Sequence, residues 1–393
     1  MKIIIISAFD PLPWDDAQLI RYGYLAATLV ERGHTVSYIS SSFFHLNKCQ
    51  REFPVKLVKP FSEIKWHLIS TSSYKKNVSL GRILNHVQFA FRLKKLLKKL
   101  ISAEKPDLIV CAFPPVLSSY FIVKIGKKYN VPVVLDIQDL WPESMERFVK
   151  SQILKFPLRF HGALRNFSIK NANAICSVSS YYLNFLKKQI GNKKNSHFPI
   201  GINSGLFYSM YEQNWKKDFF HPDKKYFVYL GSSTHNRELQ VLFNAMKKFP
   251  AYHLLLVGKG HKNQKDFNRS HKNLPPNVCV TGGLPFHDLV NLLFRSHAGF
   301  ALADSESFTS FPSKIFYYMS ANLPYITNIQ NEEFLEFAKN EEAVKYYPSG
   351  KISKLAERIE ELEMLDRKDS LYHGENFSAE KVYNEYAGWL EGI

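Results

Sequence analysis

Lys314 stands in a pattern of residues that is typical of an anion-binding site. The apolar run 298–303 predicts a buried parallel strand, and a polar loop follows it. Pro312 suits the first turn of a helix, predicted over Lys314–Ala321 and ended by Asn322, which tolerates the left-handed backbone of helix ends. Free N–H groups at a helix start attract anions, and ligands of open α/β sheets lie at the carboxyl edge of the strands. The sequence therefore predicts a nucleotide diphosphate site around Lys314.

Acidic residues follow a second predicted strand, Val131–Asp136. Asp139 and Glu143 lie just past its end, in the segment Asp139-Leu-Trp-Pro-Glu143. Carboxylates at this edge are positioned to orient an acceptor hydroxyl or to contact a donor sugar, so we predict functional roles for both. The alternative for Asp139 is a cap on the following helix. For Asp136 we prefer that structural role.

The loop after the first predicted strand offers residues for a second substrate. Asp10 lies in this loop, and Trp14 offers a plane on which a sugar can stack. Arg21, on the helix that follows, is of the type that pairs with pyrophosphate. His45, with Lys48 nearby, joins them as an acceptor-side candidate, although a lone histidine is more often packed or exposed than functional.

Nothing in the sequence indicates a metal or a covalent nucleophile. A metal site needs converging carboxylates, and no Asp-x-Asp motif follows a strand. No motif supports a serine, cysteine or Ser-His-Asp nucleophile. Basic side chains would then stabilise a departing phosphate, with Lys314 as the strongest candidate and Arg237 and Lys259 after it. We expect no metal and no cofactor, with the nucleotide-linked compound as substrate.

The composition is that of a globular protein with two domains of ordinary size. Of its 393 residues, 45% are hydrophobic and 22% are charged. The four cysteines are widely scattered, which fits neither a disulfide framework nor a zinc site and indicates a reducing compartment. No apolar run approaches the length of a membrane span, and the first apolar run is too short for a signal sequence. We therefore expect a cytoplasmic protein.

A formal net charge of +17 indicates a negatively charged partner, unless the charge has another purpose. The basic residues are dispersed and no basic-aromatic motif is present, so we expect no nucleic acid. An anionic membrane surface is the remaining candidate. Arg92–Leu100 places four leucines on one helical face and four lysines on the other, and Phe148–Arg165 is a second basic, apolar stretch. For Arg92–Leu100 alone, an ordinary surface helix packed on a sheet is the preferred interpretation.

Strands alternate with helices in two halves of the chain, which predicts parallel α/β sheets. The first half spans 1–203, with the helix Val116–Tyr129 among its clearest elements. Mixed polarity without a period predicts a linker over 204–225. The second half, 226–376, restarts with the strand Tyr226–Leu230. An amphipathic helix is predicted in 377–393.

The stretch Pro312-Ser-Lys-Ile-Phe-Tyr-Tyr-Met-Ser-Ala-Asn-Leu-Pro-Tyr-Ile326 resembles a segment of the family 4 glycosyltransferases, which have the GT-B fold. The turns at Gly231-Ser-Ser, Val257-Gly-Lys-Gly and Thr281-Gly-Gly-Leu-Pro resemble family segments in the same order. This resemblance implies two Rossmann-like parallel-sheet domains facing a central cleft: an acceptor-binding N-terminal domain, a C-terminal nucleotide-sugar domain, and a last helix that returns to the first domain.

The resemblance also implies donor-binding residues in the C-terminal domain. They are Gly231, Ser232, Arg237, Lys259, Glu306, Thr309, Pro312, Ser313 and Tyr317. The chain departs from the family here, because the two glutamates of the family fall near Thr309 and Tyr317. Glu306 is a candidate for the missing carboxylate, and the alternative is a solvated loop charge. In the N-terminal domain, Gln138 stands where many members have a histidine.

The resemblance implies transfer of a hexose from a nucleotide diphosphate, most often UDP, to a glycan or polyprenyl-diphosphate-linked acceptor. Retention of anomeric configuration without a metal is the family's mechanism. The Asp139-Leu-Trp-Pro-Glu-Ser144 segment resembles that of enzymes that make bacterial surface polysaccharides. An anionic membrane surface is then an expected partner, at the inner face of the cytoplasmic membrane. Two alternatives stay open: a nucleotide-sugar 2-epimerase of the same fold and a non-catalytic GT-B subunit.

Overall fold

The computed structural model describes residues 1–15, 17, 21–76, 79–146, 152–231, 238–258, 274–303, 311–363, 365, 372 and 377–393. The chain divides into two compact units. The first unit combines Met1–Gly201 with Ala379–Ile393, and the second spans Ile202–Ser378. Residues 204–225, predicted as a linker, belong to the second unit, where Trp215 is buried.

The first unit is built on a parallel sheet flanked by helices. Its strands are β1 (Lys2–Ile6), β2 (Thr35–Ser41), β3 (Phe43–Phe44), β4 (Cys49–Gln50), β5 (Lys65–Ile69), β6 (Leu108–Phe113), β7 (Val133–Ile137), β8 (Ala174–Ser177) and β9 (Lys194–His197). Its helices are α1 (Arg21–Glu31), α2 (Leu80–Glu104), α3 (Val116–Tyr129), α4 (Glu143–Glu146), α5 (Gln152–Asn171), α6 (Ser180–Phe185) and α7 (Lys187–Ile190). Among the described residues the sheet order is β5-β2-β1-β6-β7-β8-β9, and every pairing in it is parallel. β3 and β4 form a separate antiparallel pair.

The second unit repeats this plan. Its strands are β10 (Lys225–Leu230), β11 (Tyr252–Val257), β12 (Val278–Gly282), β13 (Ala298–Ala301), β14 (Tyr325–Thr327) and β15 (Val344–Tyr346), in the parallel order β12-β11-β10-β13-β14-β15 where the chain is described. Its helices are α8 (Ser204–Ser209), α9 (Glu238–Met246), α10 (Phe286–Arg295), α11 (Ser313–Ser320), α12 (Glu332–Lys339) and α13 (Ile352–Glu363). A last helix, α14 (Ala379–Glu391), lies in the first unit.

Local sequence explains the clearest of these elements. The predicted helix Val116–Tyr129 is observed with the same bounds, and Asn130 ends it in the left-handed region at φ 55°. Asn322, predicted to tolerate this backbone, has φ 48° just after α11. The central strands β1, β6, β7, β10 and β13 are mainly apolar and buried, which is the pattern of a parallel sheet covered on both faces, whereas the edge strand β9 is polar and mostly exposed.

Helix α2 confirms the preferred interpretation of Arg92–Leu100, a helix packed on the protein. Leu93, Leu97 and Leu100 are buried in the first unit, where α2 packs against α3. Fully burying such a side chain stabilises a fold by about 1.5–3 kcal/mol. This leucine face is therefore part of the protein interior and is unavailable to a membrane, as the preferred interpretation has it.

A buried ion pair joins distant parts of the first unit. The Arg21 guanidinium donates from Nε and Nη2 to the two carboxylate oxygens of Asp136, at 2.5 and 2.9 Å. The same guanidinium donates to the carbonyls of Ser177, at 3.3 Å, and Phe198. Tyr386, on α14, donates to Asp136 at 3.0 Å. The pair therefore connects α1, β7 and α14.

We expect Arg21→Met to lower the free energy of unfolding by about 3–5 kcal/mol, because it leaves the Asp136 carboxylate buried and unpaired. The double variant Arg21→Met/Asp136→Leu should recover most of this loss, since an apolar pair carries no buried charge. Equilibrium unfolding in urea measures both. The control is Arg32→Met, which removes an exposed pair with Glu391 and should have a far smaller effect. Equal losses for the single and double variants would contradict the ion-pair interpretation.

Candidate functional site

Lys314 lies at the carboxyl edge of the second sheet, as the sequence predicts. Its Nζ donates to the Leu302 carbonyl, just past β13, at 3.0 Å. The same Nζ lies 4.8 Å from the ring centre of Tyr229, near the end of β10. No carboxylate among the described residues pairs with it. Burial lowers the pKa of Lys314 to about 7, so the protein disfavours its charged form and an incoming anion would stabilise it.

A fixed packing arrangement positions the helix that carries Lys314. The Tyr318 hydroxyl accepts from the Leu230 N–H at 3.1 Å and donates to the Phe300 carbonyl at 3.0 Å. Gly299 leaves room for this ring, because a Cβ there would lie 2.8 Å from it. The Tyr318 bonds therefore fix α11 against the ends of β10 and β13.

The remaining donor-side candidates surround this edge or lie outside the described residues. Gly231 follows β10 with φ 136°, and its N–H donates to the Val257 carbonyl at 3.0 Å. Pro312 is the N-cap residue of α11 and provides no side-chain cap, and the exposed Ser313 begins the helix. Tyr317 is half-buried against the rings of Phe207 and Phe286. The candidates outside the described residues are Ser232, Arg237, Lys259, Glu306 and Thr309.

Asp139 and Glu143 lie past the carboxyl end of β7 in the first unit, and both contact protein groups. The Asp139 Oδ2 accepts from the Trp141 indole N–H at 2.8 Å and from the Ser144 hydroxyl at 3.2 Å. Glu143 forms an ion pair with the buried Arg165. These contacts shape the turn from β7 into α4 and hold Trp141 in place. Asp136, predicted to be structural, has that role through Arg21.

Two acceptor-side candidates are packed into the protein, contrary to expectation. Arg21 is 1% exposed, and Asp136 and two carbonyls occupy its guanidinium, so it is not available to a pyrophosphate. Trp14 packs edge-on against Trp66 and is tilted against Phe53. A sugar-stacking plane requires an open ring face. Trp14 instead belongs to the packing around the first core.

His45 belongs to a cluster that sequence reasoning found only in part. Its Nδ1 contacts the Tyr74 hydroxyl, and the Lys48 Nζ lies 3.2 Å away. Burial, together with the charges of Lys48 and Arg82, lowers the pKa of His45 to about 3. The imidazole is therefore neutral at physiological pH. The ring of Phe9 packs beside it, 5.6 Å between centres.

Arg82 and His86 complete this cluster and were not predicted. They lie one turn apart on α2, with the Arg82 Nε 3.4 Å from the His86 Nε2. The guanidinium faces the rings of Phe9 and Trp141, at 5.9 and 5.4 Å. Burial and the Arg82 charge lower the pKa of His86 to about 3. The available signal was a helical i, i+4 pair of basic residues upstream of Arg92.

Asp10 is buried near the ion pair of Arg21. Its carboxylate accepts from the Tyr22 N–H at 3.2 Å, and Arg51 donates to its backbone carbonyl at 2.8 Å. Arg51 also forms a buried ion pair with Asp15, which fixes the first loop. Burial raises the pKa of Asp10 to about 6, against the lowering effects of the Tyr22 N–H and Arg21.

The described part of the chain has neither a cluster of metal-binding side chains nor a helix that could span a membrane. Within those ranges, no group of three or more histidine, cysteine or acidic side chains is arranged to hold a metal ion. No described helix is long and apolar enough to cross a bilayer.

Family models match both units of the chain. A model described as Glycosyltransferase Family 4 matches residues 22–204, and one described as Glycosyl transferases group 1 matches 211–376. No curated protein sequence matches.

Solved structures share the fold over the whole chain. Sucrose-phosphate synthase from Thermosynechococcus elongatus aligns with a TM-score of 0.73 at 16% identity, covering 100% of this chain and 98% of that one. Anabaena HepE in complex with UDP and glucose aligns at 0.69 with 14% identity, covering 100% of both chains. WaaG, involved in lipopolysaccharide biosynthesis, aligns at 0.62 with 12% identity, covering 99% and 95%. At these identities the likeness shows the fold alone, and the fold is GT-B.

Asp10 provides a pH-dependent test of the first unit. Its pKa of about 6 in the folded state exceeds the ordinary 3.8, so the folded state binds more protons between these values and stability falls as pH rises through them. Asp10→Asn removes this dependence. We therefore expect the free energy of unfolding of Asp10→Asn, relative to wild type, to increase by on the order of 1–3 kcal/mol between about pH 4 and about pH 7. Its melting temperature relative to wild type should rise over the same range, which thermal unfolding measures. The exposed Asp107, as Asp107→Asn, is the control, and an Asp10→Asn difference that stays constant with pH would contradict the prediction.

Proposed function

The chain belongs to the family 4 glycosyltransferases, and on that premise we propose that it transfers a hexose from a UDP-linked donor to a glycan or polyprenyl-diphosphate-linked acceptor. Lys314 is the observation that carries the donor half of this proposal. It places a poorly neutralised ammonium group at the carboxyl edge of the second sheet, beside the uncapped start of α11. HepE, of similar fold, has been solved with UDP and glucose.

Departure of the nucleotide diphosphate is the step in which the Lys314 ammonium acts. As the bond between the sugar and the diphosphate breaks, negative charge grows on the leaving oxygen. Lys314 and the N–H groups at the start of α11 would stabilise that charge, which is an electrostatic contribution to catalysis. The proposed reaction is independent of metal and retains the anomeric configuration. Asp139 and Glu143 are the proposed catalytic carboxylates of the first unit, and their bonds to Trp141 and Arg165 would hold them in position.

Two other activities are measurable against this proposal. A nucleotide-sugar 2-epimerase converts its donor without an acceptor, so incubation with the nucleotide sugar alone would give a new nucleotide sugar. A non-catalytic subunit would bind the nucleotide and give neither hydrolysis nor transfer. Transfer that requires an added acceptor, with retained configuration by NMR, is the expected result.

Lys314→Met should weaken UDP binding by about tenfold or more, because a hydrogen bond to a charged group contributes about 1.5–3 kcal/mol. Titration calorimetry measures this loss. The folded pKa of about 7 also predicts that wild-type binding takes up a proton above that pH, since the diphosphate favours the charged amine. Wild-type affinity should therefore decline from about pH 7.5 to about pH 9, and that of Lys314→Met should decline less.

The matched control is Lys351→Met, which removes an exposed lysine from the same unit. It should keep wild-type affinity and wild-type proton uptake. Unchanged UDP affinity in Lys314→Met, with the protein folded, would place the diphosphate elsewhere.

An exposed apolar stripe on α2 supports the membrane part of the proposal. Its members and their exposed fractions are Leu80 (84%), Ile83 (60%), Leu84 (52%), Val87 (36%) and Phe91 (55%). They recur at helical spacing on the first half of the helix. Exposed basic residues flank them, namely Lys75, Lys76, Arg92 and Lys95. Apolar side chains within a basic border are complementary to an anionic lipid surface. We place the protein at the inner face of the cytoplasmic membrane, in synthesis of a surface polysaccharide such as lipopolysaccharide, O-antigen or capsule.

Vesicles that contain anionic phosphatidylglycerol should bind the wild-type protein at low salt, and binding should fade as salt rises because basic residues contribute about 1 kcal/mol each and are screened. Leu80→Ser/Ile83→Ser/Leu84→Ser should lose most of this binding in a flotation assay. Tyr208→Ser, which changes a comparably exposed ring in the second unit, is the control. If the triple variant binds vesicles as strongly as the wild-type protein does, the stripe is not the docking surface.

A further inference from the structure

A pocket lies at the amino edge of the second sheet, the edge away from Lys314, and we name it the Lys225 pocket. Its volume is about 470 Å³, which is within the range of small-molecule sites. Lys225 and Tyr252 begin β10 and β11 at this edge, and His297 directly precedes β13. Ligands of open parallel sheets bind at the carboxyl edge, so the proposed donor does not account for this pocket.

Aromatic rings and leucine side chains form most of the lining. Phe227 and Tyr252 are buried, and their rings stack on each other with 4.4 Å between centres. Phe294 and Tyr208 contribute two more rings, 5.1 Å apart, and Tyr208 is 59% exposed. Leu362 adds a buried aliphatic side chain. Such a lining packs favourably against a flat apolar group.

Two cations also line the pocket, and none of the described residues that line it is acidic. Lys225 is exposed, and its Nζ lies 5.2 Å from the centre of the Tyr252 ring. Backbone carbonyls hold the Arg295 guanidinium, which donates to Asn291 at 3.0 Å and to Gln213 at 3.2 Å. In the part of the chain that the structure describes, neither cation forms an ion pair with a carboxylate. Both positive charges therefore face the pocket without an opposing full charge.

The ends of two helices oppose these charges only in part. α10 ends at Arg295 and α11 ends at Ser320, and the residues that follow them, Ser296 and Ala321, line the pocket. A helix C-terminus carries about half a negative charge. Two such ends amount to about one negative charge against two positive ones, so a net charge of about +1 is left. The pocket thus combines an apolar, ring-lined interior with an excess of positive charge.

We propose that the Lys225 pocket binds a small anion that carries a flat apolar ring, at a site separate from that of the donor. The ring would pack among the aromatic side chains, and the anionic group would contact Lys225 and Arg295 through charge-assisted hydrogen bonds. A nucleoside monophosphate and an aromatic acid share this chemistry. The proposal goes beyond the transferase function and does not depend on it.

The test measures the binding of naphthalene-1-sulfonate, a flat ring system with one anionic group, to the full-length protein by titration calorimetry. The wild-type protein should bind it, and Lys225→Gln should weaken binding by about fivefold because a contact with a charged group is lost. Tyr208→Ala should also weaken binding, since one ring of the lining is removed. Lys225→Arg, which keeps the charge, should retain most of the affinity. The control is Lys224→Gln, which changes an exposed neighbour outside the lining and should behave as wild type.

Crossed measurements separate this site from the donor site. Lys225→Gln should bind UDP as the wild-type protein does, and Lys314→Met should bind naphthalene-1-sulfonate as the wild-type protein does. Adenosine monophosphate then identifies the source of the ligand chemistry. If its Lys225-dependent binding is tighter than that of naphthalene-1-sulfonate, the ligand is assigned to the nucleotides, and if it is weaker, to the aromatic acids.

Three results would overturn the proposal. The wild-type protein does not bind naphthalene-1-sulfonate, or Lys225→Gln and Tyr208→Ala bind it as the wild-type protein does, or Lys314→Met is the variant that weakens it. Failure of the transferase proposal has a different signature, since the protein would then not bind UDP while its binding of naphthalene-1-sulfonate still depends on Lys225.

Discussion

The first unit depends on the buried ion pair between Arg21 and Asp136. Asp136 lies in the middle of the sheet, and no water reaches it, so its charge requires a partner that supplies two donors in a fixed geometry. The guanidinium of Arg21 supplies them, and Tyr386 donates a further bond to the same carboxylate. Phe198 stacks on Tyr386 with 4.4 Å between ring centres. This interaction thus fixes α1, the central sheet and α14. These elements in turn position the loops at the carboxyl edge.

The buried arginines that pair with a carboxylate differ in role from Lys314. Arg21, Arg51 and Arg165 each form an ion pair with a carboxylate, and these pairs hold loops and helices in place. Lys314 instead has a lowered pKa, because burial disfavours its charge. It lies at the carboxyl edge of a parallel sheet, where this architecture binds ligands. Because a charge that the protein destabilises gains most from an anionic ligand, Lys314 is the best candidate for contact with phosphate.

Local sequence was sufficient to predict the apolar central strands, α3 and the location of Lys314, because these follow from apolar runs and helix-end residues close in sequence, whereas β5, β9 and β15 were not predicted. Arg21 was assigned to a pyrophosphate, since nothing near it shows that its partner lies 115 residues away. Asp136 was correctly taken as structural, but its role is an ion pair and not a helix cap. Arg82 and His86 were missed because they lie in the first half of α2. Only the second half has the ordinary amphipathic pattern, with apolar residues inside and lysines outside, that marks a helix in the sequence.

The first half of α2 adds a constraint of another kind. Leu80, Ile83 and Leu84 are exposed there, while Phe89 and Ala90 are buried on the inner side. A contiguous apolar stripe in water is unfavourable, and an apolar surface that covers it would remove that cost. A lipid-linked acceptor, as proposed above, is held at such a surface, whereas a soluble glycan would leave the stripe in water. Within the proposed function, the stripe is therefore the feature that favours the lipid-linked acceptor.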